Sequence, residues 1–302
     1  MVRKLITFLT LGWLAACSAL SGQGTTPAPG LPRVLAVETF LADITRNITG
    51  DRLVVDSLLP DNMDPHSYQP APRDIIKVAK SEVVIINGAG VETFLAPLLE
   101  NAGGTRLLIT ASAGLTPLPD PSGENPQGDP HFWLDPNKVI RYVETIRDGL
   151  IQVDPQGRQI YTDNAAAYII QLQNLDTWIN EQVALIPAGQ RLLVTNHDSL
   201  GYFAARYGFK VVGAIIPSVS SESAPTARQL ANLIDQIRIS KARAIFMETG
   251  ANINLAEQIS GETSARIVTD LYIHSISDAN GPAPTYIDMM KYNVTQIVNA
   301  LK

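Results

Sequence analysis

The stretch Pro155–Ile186, PQGRQIYTDNAAAYIIQLQNLDTWINEQVALI, contains no proline or glycine after Gly157. Apolar side chains recur through it at helical spacing: Ile160, Ala167, Ile170, Leu172, Leu175, Trp178, Ile179 and Val183. A helix of about 30 residues spans roughly 45 Å, longer than one domain ordinarily needs. The stretch reads as a rigid connector between two halves of the chain. The alternative is two shorter helices with a break near Asn174.

Both flanks alternate strand-like and helix-like segments. Before the connector, Arg33–Glu38, Asp51–Leu59, Glu82–Asn87 and Arg106–Thr110 read as strands, and Arg73–Lys80, Val91–Asn101 and Asn137–Val153 as helices. After it, Arg191–Thr195, Lys210–Ile215, Ala242–Met247 and Arg266–Thr269 read as strands. Ser199–Tyr207, Ala227–Ile239, Leu255–Ser260 and Pro284–Leu301 read as helices. This alternation predicts an α/β fold with parallel sheets covered by helices. Two lobes, 33–154 and 188–302, are expected on either side of a connecting helix at 155–187. With 302 residues, 45% of them hydrophobic, the chain has ample material for a separate core in each lobe. Its net charge of −6, without a long basic run, argues against nucleic-acid binding.

The N-terminus reads as an export signal over residues 1–17. Arg3 and Lys4 precede an apolar run from Leu5 to Leu14, too short for a comfortable membrane span, and the run ends in Leu14–Ala15–Ala16–Cys17. The small residues before Cys17 resemble a lipobox, which implies a lipid-modified N-terminal cysteine and anchoring to a bacterial membrane outside the cytoplasm. A plain secretory signal is the alternative. Residues 18–32, rich in Ser, Gly, Thr and Pro, read as a flexible tether. Cys17 is the only cysteine, so neither an intramolecular disulfide nor a cysteine metal site can form.

The chain has four histidines: His66, His131, His197 and His274. Ligands of open α/β sheets bind beyond the carboxyl ends of strands, and the loops carrying these histidines follow expected strands. Two belong to each half, which would place a shared metal site in the cleft between them; the alternative for each histidine taken alone is a surface or hydrogen-bonded residue. Pro65 and Pro130 restrict Asp64 and Asp129 to extended conformations and stiffen the backbone beneath His66 and His131. Asp64, Asp129, Asp135 and Asp198 are candidates to hold the second ring nitrogen of a ligating imidazole. No His-Glu-x-x-His, EF-hand, P-loop or Gly-x-Ser-x-Gly pattern is present.

Several strings together resemble the metal-binding lipoproteins of bacterial ABC importers for zinc and manganese. Met63–Asp64–Pro65–His66–Ser67–Tyr68, Pro130–His131–Phe132–Trp133–Leu134–Asp135–Pro136 and Asn196–His197–Asp198–Ser199–Leu200–Gly201–Tyr202–Phe203 are similar to its first three ligand loops. Arg206–Tyr207–Gly208 and Tyr286–Ile287–Asp288–Met289–Met290–Lys291–Tyr292–Asn293 are also similar to family segments. The resemblance implies two lobes joined by one long helix, a metal held between them, and delivery by a monomer to a permease and its ATPase subunit. His66, His131 and His197 carry over as ligands. At the fourth position the family usually has aspartate before Ser and an aliphatic residue, whereas this chain has His274–Ser275–Ile276. His274 is the expected ligand, with Asp270 or water as alternatives.

Four neutral imidazoles favour zinc, with manganese second, because manganese prefers carboxylate and water oxygens. A secreted zinc hydrolase is the alternative from another class, with three histidines, a water and Glu248 as base. A haem or iron-chelate carrier is a weaker alternative.

Overall fold

The computed structural model describes residues 30–302. The expected signal peptide, Cys17 and most of the expected tether lie outside the described residues. Strands β1 (Val34–Ala36), β2 (Val55–Ser57), β3 (Val83–Ile86) and β4 (Leu107–Thr110) form a parallel sheet in the order β2-β1-β3-β4. Strands β5 (Leu192–His197), β6 (Lys210–Ile216), β7 (Ala244–Glu248) and β8 (Arg266–Leu271) repeat that winding as β6-β5-β7-β8, also parallel. Helices α1 (Thr39–Thr49), α2 (Pro72–Ala79), α3 (Leu95–Ala102) and α4 (Pro136–Val153) cover the first sheet; α6 (Gly201–Tyr207), α7 (Ala227–Ser240), α8 (Asn254–Thr263) and α9 (Tyr286–Leu301) cover the second.

Between them runs α5, Arg158–Ala184, entered through a 3-10 turn at Pro155–Gly157 and unbroken at Asn174. Its buried face is Tyr161, Ala165, Tyr168, Leu172, Leu175, Ile179 and Val183, spaced by three or four residues. Two apolar positions singled out in the sequence fall outside this face, since Ile160 is 42% and Ile170 57% exposed. The rings of Tyr161, one residue after Ile160, and Tyr168, two residues before Ile170, take the inward places. The expected strand at Asp51–Leu59 shortens to Val55–Ser57, and the helix expected from Val91 begins at Leu95. Helix α1 escaped the sequence reading. Three threonines and two isoleucines mask its pattern, yet Phe40, Leu41, Ile44 and Ile48 share one face and Gly50 follows its last turn.

Separate cores, expected for the two lobes, are not what forms. The largest apolar cluster runs through both sheets, joining Ile44 of α1, Ile146 of α4, Leu172 and Ile179 of α5, Phe203 of α6 and Ile297 of α9. The cause is the α5 face, which packs on α1 and α4 to one side and on α6 and α9 to the other. Alternation along the strands divides the rest: Val34 and Ala36 point into the shared core and Leu35 into a smaller cluster under α2 and α3. Leu193 and Val194 divide in the same way in the second sheet.

A buried acid pair lies at the carboxyl edge of the first sheet. Glu38, just past β1, is fully buried with neither carboxyl oxygen hydrogen-bonded, and it faces Glu92. Burial, reinforced by Glu92, pushes the Glu38 carboxyl well above its usual range.

Two predictions follow from this packing. Leu172→Ala, at a fully buried position, should cost about 2–5 kcal/mol in urea denaturation, whereas Ile170→Ala should stay within about 0.5 kcal/mol. The reverse order would contradict the register of α5. Glu38 keeps its proton when folded but releases it when unfolded, so the pair costs stability as pH rises above the usual carboxyl range. Thermal midpoints should therefore rise in Glu38→Gln relative to the parent at pH 8, with the gap narrowing towards pH 4. A gap that is flat with pH would contradict a Glu38 that keeps its proton in the folded chain.

Candidate metal centre

The carboxyl ends of the two sheets carry the four histidines. His66 lies in the loop between β2 and α2, His131 between β4 and α4, His197 is the last residue of β5, and His274 follows β8 by three residues. His131, His197 and His274 are buried and His66 is half-buried. One nitrogen from each ring lies within 4.8 Å of those of the other three.

Each ring is held from behind. Asn87 Nδ2 donates to the carbonyl of Pro130 at 3.1 Å, and the Tyr202 hydroxyl to that of Asp129 at 2.7 Å, which fixes the His131 loop. Gly201, opening α6, lets the Asp129 carboxylate approach, because a Cβ there would meet Oδ2 at 2.8 Å. The segment before His274 is extended and pinned. The Asn293 side chain accepts from Tyr272 N at 2.9 Å and donates to Tyr272 O at 2.7 Å, and Trp133 Nε1 donates to Ile273 O at 2.7 Å. Asp64 accepts from the His66 backbone N–H at 2.9 Å, stiffening the turn through Pro65.

Carboxylates set the ring tautomers. His131 Nδ1 lies 2.8 Å from Asp129 Oδ1, His197 Nδ1 2.5 Å from Glu248 Oε1, and His274 Nδ1 3.0 Å from Glu248 Oε2. In the neutral rings, with each of these Nδ1–H groups donating to a carboxylate, each Nε2 presents a bare lone pair. Those lone pairs converge: His131 Nε2 is 3.3 Å from His274 Nε2 and 3.2 Å from His197 Nε2. His66 Nε2 is buried with no hydrogen-bond partner. Acceptors crowded together without a proton between them repel, and a cation at their centre removes the repulsion. A tetrahedron of nitrogens about 2.0–2.1 Å from zinc has edges of roughly 3.3–3.4 Å. The two short Nε2 separations already match such edges, and the His66 ring centroid lies 5.1 Å from His274, 5.6 Å from His131 and 5.8 Å from His197.

Electrostatics agree with a cation site. Burial, then the neighbouring His274, lowers the His66 imidazole to about 3, and burial with the other three histidines drives His131 well below its usual range. Burial acts on Glu248 in the opposite sense, but the His197 and His274 imidazoles outweigh it and hold the carboxyl below its usual range. Burial pushes Asp129 up to about 7.

Of the four aspartates proposed to orient imidazoles, Asp129 does so. Asp135 instead caps α4, accepting from Asn137 N at 3.0 Å. Asp64 holds the His66 backbone, and its Oδ1 stands 3.8 Å from His274 Nδ1. Asp198 bonds to no imidazole among the described residues. Asp270 is exposed and accepts from the Thr269 hydroxyl. Glu248 is neither a free base nor merely the cap of a turn, since its two oxygens are shared between His197 and His274. That role was missed in the sequence, although a signal existed: Glu248 ends β7, which pairs with β5 where His197 ends it.

Residues 34–300 match the family described as zinc-uptake complex component A, periplasmic (ZnuA). The chain is 34% identical over 288 residues, 95% of its length and 94% of the relative's, to the manganese-binding lipoprotein MntA of Halalkalibacterium halodurans. It is 33% identical over 294 residues, 97% of its length and 94% of the relative's, to the iron-binding protein YfeA of Yersinia pestis. The solved structure of the periplasmic zinc-binding protein TroA of Treponema pallidum matches with a TM-score of 0.81 at 28% identity, covering 90% of this chain and 99% of that one. The chain belongs to the ZnuA family of substrate-binding proteins of ABC importers for divalent metals, which are carriers and not enzymes.

Proposed function

We propose that the chain captures zinc through Nε2 of His66, His131, His197 and His274 and delivers it to the permease and ATPase of its importer. The observation that carries this reading is the convergence of bare Nε2 lone pairs at tetrahedral spacing beside the unpartnered His66 Nε2. No carboxylate oxygen belongs to this inner set, and all-nitrogen donors suit zinc better than manganese. The carboxylates of Glu248 and Asp129 stand directly behind the imidazoles, so the ion's two charges are balanced one shell out. Manganese is the second reading, favoured by the resemblance to MntA. The carrier acts as a monomer outside the cytoplasm, lipid-anchored through Cys17 and tethered by residues 18–32. Among the described residues no helix is long and apolar enough to cross a membrane.

In metal competition on chelator-stripped protein, zinc should displace manganese at equal free concentration. Manganese winning would overturn the zinc assignment. Affinity should also depend on pH. Burial lowers the His274 pKa, but Asp64 and Glu248 outweigh it and raise it above the ordinary imidazole value. Zinc must displace that proton, so affinity should begin to fall above about pH 6.5 as pH is lowered, by about tenfold per unit while one proton is displaced. Calorimetry giving equal zinc affinities at pH 8 and pH 5.5 would contradict a histidine site.

A further inference from the structure

The lobes meet along two lines of different chemistry. Along one, the cross-lobe hydrogen bonds are buried: Trp133 Nε1 to Ile273 O at 2.7 Å, the Tyr286 hydroxyl to Trp133 O at 2.7 Å, and Ile276 N to Thr39 Oγ1 at 3.0 Å. Along the other, beside His66, the bonds reach solvent and all come from one segment of the second lobe. That segment, PSVSSESAP at 217–225, joins β6 to α7 and carries serines at 218, 220, 221 and 223.

Three of these serines reach carboxylates of the first lobe. Ser218 Oγ donates to Glu124 Oε2 at 2.7 Å and Ser223 Oγ donates to the same oxygen at 2.6 Å. Ser221 Oγ donates to Asp64 Oδ2. Glu124 lies on the loop that leads to His131, and Asp64 on the turn that carries His66. Both ligand loops of the first lobe are thus tied to this short segment, and the His131 loop is held to the second lobe by Tyr202 of α6 as well. Ser223 and Ser218 hold the Glu124 carboxyl below its usual range, so it is ionised at neutral pH.

Cavities of about 330 Å³ and about 300 Å³ touch this seam. The first is lined by Asp64, Ser221 and His274, the second by His66, Glu124 and Ser218. Both therefore reach a histidine of the cluster from beside the serine segment. The buried bonds of the first line cannot break without leaving unsatisfied polar groups, whereas the half-buried Ser221 and Ser223 hydroxyls and the exposed Glu124 carboxylate can exchange their partners for water, Ser218 alone of the three serines being buried. Movement that admits or releases an ion is cheapest at the serine seam.

We propose that Ser218, Ser221 and Ser223, closing on Glu124 and Asp64, form a latch that sets the rate at which bound metal leaves. These are positioning residues. They touch no ion, and they act by holding the His66 and His131 loops against the second lobe. The Ser221–Asp64 bond holds the turn of His66, the least buried of the four rings.

The proposal rests on the zinc reading above, and the two can fail separately. In the full chain loaded with zinc, release into excess chelator is followed by stopped flow for the parent, Glu124→Ala, Ser218→Ala/Ser223→Ala and the triple variant. Glu124→Ala should release zinc about tenfold faster, as expected for losing charge-assisted hydrogen bonds. The serine pair should do the same, and the triple variant should be no faster than Glu124→Ala alone, because all three changes remove one contact. Glu124→Gln, which keeps an acceptor oxygen, should recover part of the parent rate. Metal-free thermal midpoints should remain close to the parent's. Release rates within twofold of the parent in both Glu124→Ala and the serine pair would overturn the latch, as would fully additive effects. A parent chain that binds no zinc would instead overturn the function proposed above.

Discussion

The apolar face of α5, from Tyr161 to Val183, buries against helices of both lobes and so sets the distance between two sheets that share no strand. Metal coordination tolerates only a few tenths of an ångström, and side chains delivered from independent bodies would rarely meet it. Here the two sheets present their carboxyl ends across a gap held by one continuous core. The buried bonds of Trp133, Tyr286 and Thr39 reinforce it where the chain passes between lobes. With the scaffold held this way, adjustment is left to the loops, above all to the half-buried turn that carries His66.

The same rigidity permits an electrostatic arrangement that would be costly elsewhere. In the buried space His66 and His131 resist protonation, and a dication needs counter-charge. Glu248 and Asp129 supply it from behind the rings, so no carboxylate occupies an inner position. Glu248 serves two histidines at once because β5 and β7 are neighbours whose last residues are His197 and Glu248. One carboxylate thereby fixes two tautomers and aims two Nε2 atoms. On the zinc reading proposed above, nitrogen donors would face the ion with negative charge one shell away, a combination that suits a borderline-soft cation.

Much of this was legible in the sequence, because it depends on local signals. Alternating segments gave the parallel sheets, and a long run free of proline and glycine gave α5. Histidines placed after strands, two per half, gave the cluster. What remained hidden depends on three-dimensional neighbourhood. The apolar period of α5 could not distinguish Ile170 from Tyr168 as the inward residue, since a tyrosine ring can bury as readily as isoleucine. A shared core cannot be told from two separate ones until the faces of α1, α4, α6 and α9 are known to meet the same helix. The pairing of Glu248 with His197 and His274 spans 51 and 26 residues and exists only through strand order.

The central claim is that four imidazole nitrogens, with no oxygen among them, take the ion. X-ray absorption at the zinc K edge of the loaded protein tests it most directly. The account predicts four nitrogen scatterers at about 2.0–2.1 Å with the outer-shell pattern of four imidazole rings. A shell containing a carboxylate or water oxygen, or only three imidazoles, would contradict it.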